Sequence, residues 1–163
     1  MIVLGIDPGF AIVGYGLLQV GKNQYTTMSS GVIRTKPDMP LESRLFEIYH
    51  DLETLIARFK PDCMAVEQLF FHTNQKTVMQ VAQARGVIVF AARENNIPVF
   101  EYTPLQVKQA VVGYGRAEKK QVMEMTRQLL KLNALPKPDD AADALAIALC
   151  HAESSQSLLF GQK

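Results

Sequence analysis

The opening residues constrain the fold most. Ile2-Val3-Leu4-Gly5-Ile6 is an unbroken apolar run that stops in Asp7, with Pro8-Gly9 directly behind it. Such a run bounded by Pro-Gly reads as a short buried strand closed by a turn. Asp7 therefore sits at the strand's carboxyl end. A charge leaving a buried strand needs compensation, which a divalent cation or a set of backbone amides supplies. The alternative is an Asp that opens the turn by bonding its own backbone two residues on. This stretch alone leaves both readings open.

The next segments pair with that strand. Ala11 to Val20 is apolar with Gly14 and Gly16 inside it, and glycine in a strand marks a bulge or a close approach by another backbone or a ligand. Gly21-Lys22-Asn23 signals a turn and Tyr25 to Arg34 a third strand, which together predict an antiparallel meander. After Pro37 to Pro40 the period changes. Leu41, Leu45, Ile48, Tyr49, Leu52, Leu55, Ile56 and Phe59 recur at steps that include three and four, the stripe of an amphipathic helix. Cys63-Met64-Ala65-Val66 is a second apolar run, and it too ends in a carboxylate, Glu67.

A long helix follows over about 74–94, capped by Thr73 or Asn74 and apolar almost all round from Val78 to Ala92. Such a helix is buried on both sides, against the sheet and a second subunit or as the central helix of one domain. Pro98 to Tyr102 reads as the last strand, and strand-helix-strand order implies right-handed parallel crossovers. The expected architecture is α/β: a five-stranded mixed sheet, three strands in a meander and two parallel, flanked by helices. One domain over 1–153 is expected, with a short polar tail at 154–163.

Composition narrows the chemistry. Cys63 and Cys150 lie in apolar segments, which fits reduced buried thiols and excludes thiolate zinc. No stretch approaches the ~18 to 20 apolar residues of a membrane span, and no basic region precedes an apolar leader, so a cytoplasmic protein is expected. The net charge is +1. If four of the 16 acidic residues hold metal, the remaining twelve face 17 Lys and Arg, and nucleic acid stays open as a partner. Between residues 108 and 131 six basic residues (Lys108, Arg116, Lys119, Lys120, Arg127, Lys131) oppose Glu118 and Glu124. A solvated helix face is the commoner cause of such a run; phosphate contact is preferred if the carboxylates lie nearby.

The last helix opens with Asp139-Asp140-Ala141-Ala142-Asp143. Asp140 and Asp143, three apart, project from one face. Acidic residues favour a helix N-terminus, which suits Asp139, but Asp143 falls among Ala, Leu and Ile that should be buried. Where the first and fourth strands are parallel neighbours, Asp7 and Glu67 meet at the carboxyl edge of the sheet. Four carboxylates there call for hard divalent cations, and with no His or Cys at the matching positions Mg²⁺ or Mn²⁺ suits them. Two such ions about 3.5 to 4 Å apart serve phosphodiester hydrolysis.

These stretches resemble the RuvC-type Holliday junction resolvases of the ribonuclease H-like superfamily. The resemblance is carried by Gly5-Ile6-Asp7-Pro8-Gly9, Ala65-Val66-Glu67-Gln68-Leu69-Phe70, Gln83-Ala84-Arg85-Gly86-Val87, Gln106-Val107-Lys108-Gln109, Ala117-Glu118-Lys119 and Asp140-Ala141-Ala142-Asp143-Ala144-Leu145-Ala146. It implies a catalytic, metal-binding tetrad of Asp7, Glu67, Asp140 and Asp143 holding two Mg²⁺, with Mn²⁺ able to substitute. It implies phosphate contacts by Lys108 and Lys119, with Arg116 and Lys120 beside them in the basic stretch, and an aromatic, Phe70, that stacks near the junction. It further implies a homodimer, formed through the 74–94 helix, that nicks two opposing strands of a four-way DNA junction and works with the RuvA and RuvB branch-migration proteins. Some members carry His where this chain has Asp143. Three rivals are an RNA-directed nuclease of the same fold, an actin-like sugar kinase, for which the chain is too short, and a non-catalytic junction-binding module, which should lack some of the four carboxylates.

Overall fold

A computed structural model describes residues 1–22, 24–69 and 75–160. β1 (Ile2–Asp7), β2 (Ile12–Gly21) and β3 (Gln24–Arg34) form the expected antiparallel meander. β4 (Cys63–Glu67) lies parallel to β1 on its other side, and β5 (Val99–Tyr102) lies parallel to β4. The order is β3-β2-β1-β4-β5, which makes β1 central. Helices α1 (Leu41–Phe59) and α2 (Gln75–Glu94) cover one face; α3 (Pro104–Val112), α4 (Lys119–Leu129) and α5 (Asp139–Phe160) belong to the other.

The apolar runs of β1 and β4 follow from this layering, because a strand covered on both faces has no side to give to water. Leu4 and Ile6 pack with Ile48 and Leu52 of α1 and Ile88 of α2. Val3, Cys63 and Ala65 pack on the opposite face with Leu145 and Leu149 of α5. Since side chains alternate along a strand, Asp7 and Glu67 project towards α5 with Val3 and Ala65.

How closely α5 lies on the sheet is set by glycine. A Cβ at Gly5 would stand 2.1 Å from the Ala144 carbonyl oxygen, and one at Gly14 2.0 Å from that of Asp140. No side chain fits at either position. A Cβ at Gly16 would meet both the backbone nitrogen and the side chain of Leu145 at 2.8 Å, so the sequence expectation of a close approach at Gly14 and Gly16 is met by α5.

Two expectations are corrected. The helix over 74–94 is not apolar all round: α2 buries Ala84, Ile88, Ala91 and Ala92 but turns Gln80, Gln83 and Arg93 outward. Met79 and Phe90 lie on this outer side as well, 67% and 60% exposed. The expected polar tail from 154 is, as far as Phe160, a continuation of α5. Ser154 and Ser155 tolerate the helix because their hydroxyls donate back to the carbonyls of Cys150 and Ala152. No helix among the described residues is long and apolar enough to cross a membrane.

Candidate active site

Three elements bring the carboxylates together. Ile6 pairs with Val66 across β1 and β4, so Asp7 and Glu67, one residue further on, end neighbouring strands. Asp7 pairs with Gly14 across β1 and β2, and Gly14 is where the backbone of Asp140 touches the sheet. The first turn of α5 is thereby held over the end of β1, and Asp143 follows one turn along. The loop after β1 is pinned from below. Thr35 Oγ1 donates to the Phe10 carbonyl at 2.8 Å, and Arg44 Nε donates to Thr35 Oγ1 at 2.8 Å. The Arg44 guanidinium lies 3.7 Å over the Phe10 ring.

These groups open into a cleft of about 300 Å³. Asp7, Glu67 and Asp143 line it with Lys108 of α3 and Lys119 of α4, against an apolar wall that includes Val107, Val122, Ala146 and Ile147. Asp140 stands outside the lining, but its charge acts on Asp7 and Asp143. α3 starts cleanly at this wall. Thr103 accepts from the Gln106 N–H at 3.1 Å, the Gln106 side chain accepts from the Thr103 N–H at 2.8 Å, and Pro104 occupies the first turn.

The electrostatics show what the site lacks. Burial, followed by the charges of Glu67, Asp143 and Asp140, pushes the Asp7 carboxyl up to about 8, and Lys119 opposes the shift. Burial and Asp143 raise Glu67, against Lys119 and Lys108. Burial also raises Asp143, against its bond to Lys119. Lys119 Nζ donates to Asp143 Oδ2 at 2.8 Å and lies 3.9 Å from Asp139 Oδ2.

Among the described residues no three His, Cys, Asp or Glu side chains are already gathered into a cation cage. The donor set nevertheless fits a hard dication. It is all oxygen and carries more negative charge than Lys119 neutralises, and burial together with the neighbouring carboxylates raises the Asp7 carboxyl. Like charges do not close on one another until a cation is present.

The predicted contact residues separate. Lys108 and Lys119 face the cleft. Arg116 and Lys120 are exposed and do not line it. Phe70 lies outside the described residues, as do Thr73 and Asn74. Sequence reasoning assigned Asp139 to capping alone and missed its place beside Lys119. It also missed Arg44, whose only signal was a cation in the apolar stripe of α1.

The family model for the crossover junction endodeoxyribonuclease RuvC matches residues 3–151. The chain belongs to the RuvC family. RuvC of Desulforamulus reducens is 54% identical over 157 residues, covering 96% of each chain. The structure of Thermus thermophilus RuvC superposes with a TM-score of 0.91 at 39% identity over 96% of each chain, and the same values hold for that protein in complex with a Holliday junction substrate. The sheet order and strand directions are those of the ribonuclease H-like fold expected from the sequence, and the chain is a nuclease of the hydrolase class.

Proposed function

We infer that this enzyme resolves four-way DNA junctions by nicking two opposing strands, with divalent metal held by Asp7, Glu67, Asp140 and Asp143. The observation that carries the reading is the convergence of Asp7, Glu67 and Asp143 in one cleft with Lys108 and Lys119, the charge of Asp140 acting on two of them, in a chain so similar to a RuvC that binds a Holliday junction. Asp7, Glu67, Asp140 and Asp143 would hold two Mg²⁺ ions, or Mn²⁺ in their place, whose chemistry would be activation of the water nucleophile and stabilisation of the leaving oxygen, for 5′-phosphate and 3′-hydroxyl ends. The chain's own groups do the rest. The carboxylates set where the cations stand, Lys108 and Lys119 bind phosphate oxygens, and the wall of Val107, Val122 and Ile147 keeps bulk water from the reacting phosphate. Phe70, directly beyond Gln68 and Leu69 at the end of β4, stacks on an unpaired base. Arg116 and Lys120 extend the basic surface along a DNA arm.

A junction presents two equivalent scissile phosphates, which a two-fold dimer matches. The outer face of α2 supports a dimer through that helix. Met79 and Phe90 are exposed there, and a Cβ at Gly86 would meet nothing within 4 Å. Glycine in a helix interior costs about 1 kcal/mol against Ala, and nothing among the described residues needs it. RuvA and RuvB are the expected partners, in cytoplasmic recombination and DNA repair.

The test is incubation of the purified protein with a labelled four-way junction, a linear duplex and an RNA–DNA hybrid, each with Mg²⁺ and with EDTA. Paired nicks confined to the junction and abolished by EDTA are expected. Cleavage of the hybrid would replace the substrate, and tight junction binding without a nick would make the protein a binding module.

A further inference from the structure

Lys119 occupies a position that its helix does not explain. It is the first residue of α4, where the macrodipole disfavours a cation. The Gln121 side chain already accepts from the Glu118 N–H at 2.8 Å at that helix end. The ammonium instead reaches across to α5, 2.8 Å from Asp143 and 3.9 Å from Asp139, while 59% of the side chain stays exposed. An exposed lysine on a flexible stem has room to leave.

We propose that Lys119 is an internal counter-ion for the metal-free carboxylates: its ammonium leaves Asp143 when a divalent cation binds, and only then becomes available to DNA phosphate. This rests on the reading of Asp7, Glu67, Asp140 and Asp143 as metal ligands. Asp143 Oδ2 cannot accept a full contact from Lys119 and also face a dication without bringing two cations together. Metal therefore competes with the lysine, and the apparent metal affinity falls by the fraction of molecules in which the contact is closed. Lys119 lines the cleft with Lys108, so an ammonium released from Asp143 would have a phosphate in that cleft within reach. Metal loading and DNA binding are thus coupled through one side chain, and the coupling is reciprocal.

Calorimetric titration of Mg²⁺ without DNA separates this proposal from the metal assignment beneath it. Four full-length proteins are compared: wild type, Lys119→Ala, Lys108→Ala and Asp7→Asn. Lys108 is the control because it lines the same cleft with the same charge but forms no ion pair with the carboxylates among the described residues. Lys119→Ala is expected to bind Mg²⁺ about fivefold more tightly, the size of a partly exposed ion pair, with a smaller change in Lys108→Ala and weaker binding in Asp7→Asn. Equal gains in the two lysine variants, or none in Lys119→Ala, overturn the proposal while Asp7→Asn still reports on the ligands. Undiminished binding in Asp7→Asn removes the metal site itself. Junction affinity completes the test: Lys119→Ala should weaken binding more in Ca²⁺ than in EDTA, whereas an equal loss in both overturns the hand-over to phosphate.

Discussion

A carboxyl held near a pKa of about 8 is an unstable arrangement kept for a purpose, and Asp7 shows its cost in the absence of metal. The ordinary value is 3.8. Between that pH and about 8 the unfolded chain has released the proton while the folded chain retains it, so the stability contributed by protonated Asp7 declines as pH rises through this window. Asp7→Asn has no charge to bury. In EDTA at pH 8 to 9 its melting temperature should exceed that of the wild type by about 3 °C or more, a shift worth ~1 kcal/mol in a chain of this size. Junction cleavage in Mg²⁺ should fall by more than about a hundredfold, since even groups that only support a metal ligand cost 10- to 100-fold when lost. A melting temperature below wild type would mean that Asp7 is not an uncompensated charge. With Asp7 as the proposed metal ligand, the same window would govern metal binding. A cation takes the ionised carboxylate, so Mg²⁺ affinity should climb with pH up to about 8 with release of a proton, which calorimetry in buffers of different ionisation enthalpy measures directly.

Between α5 and the sheet the decisive contacts are backbone to backbone. Gly14→Ala would set a methyl 2.0 Å from the Asp140 carbonyl oxygen, which no rotamer change relieves. The variant should lose about 3 kcal/mol in urea unfolding, and because the displaced turn carries Asp140 and Asp143, its nicking rate should fall by more than lost folding explains. Gly21→Ala is the contrast. Its Cβ meets first the flexible Gln24 side chain at 3.3 Å, and a change within about 0.5 kcal/mol is expected. Equal losses at the two positions would refute the close approach. This element also marks how far the sequence could be read. The strand ends at Asp7 and Glu67 and the paired Asp140 and Asp143 were legible because apolar runs and helical spacing are local signals, and Gly14 and Gly16 announced a close neighbour without saying which. The Lys119–Asp143 contact spans 24 residues and Arg44 reaches back 34 positions to Phe10 across the turn after β1. No local period encodes either. The face of α2 was misjudged for the opposite reason, since residues such as Val78, Ala82 and Val89 count as apolar in a window although they are only partly buried in the monomer.

Across the whole molecule, the proposed dimer through that face would let two active sites act together. Gly86 tests this more cleanly than Met79 or Phe90, because a side chain there has open space in the monomer, while a helix interior gains about 1 kcal/mol when glycine is replaced by a good helix former. Gly86→Leu should therefore leave the fold and the cleft intact. If two copies of α2 cross at this position, the added side chain holds the helices apart, and sedimentation should show dimer in the wild type and monomer in the variant. A monomer still contains the four carboxylates, Lys108 and Lys119, so single nicks should persist while the two opposing cuts cease to occur within one binding event. A supercoiled plasmid carrying a cruciform distinguishes these outcomes. Paired cuts linearise it, whereas independent cuts leave a nicked circle that the cruciform escapes by reabsorption. Should Gly86→Leu remain dimeric and linearise the plasmid as well as wild type, the dimer uses another surface and the exposed Met79 and Phe90 need a different partner.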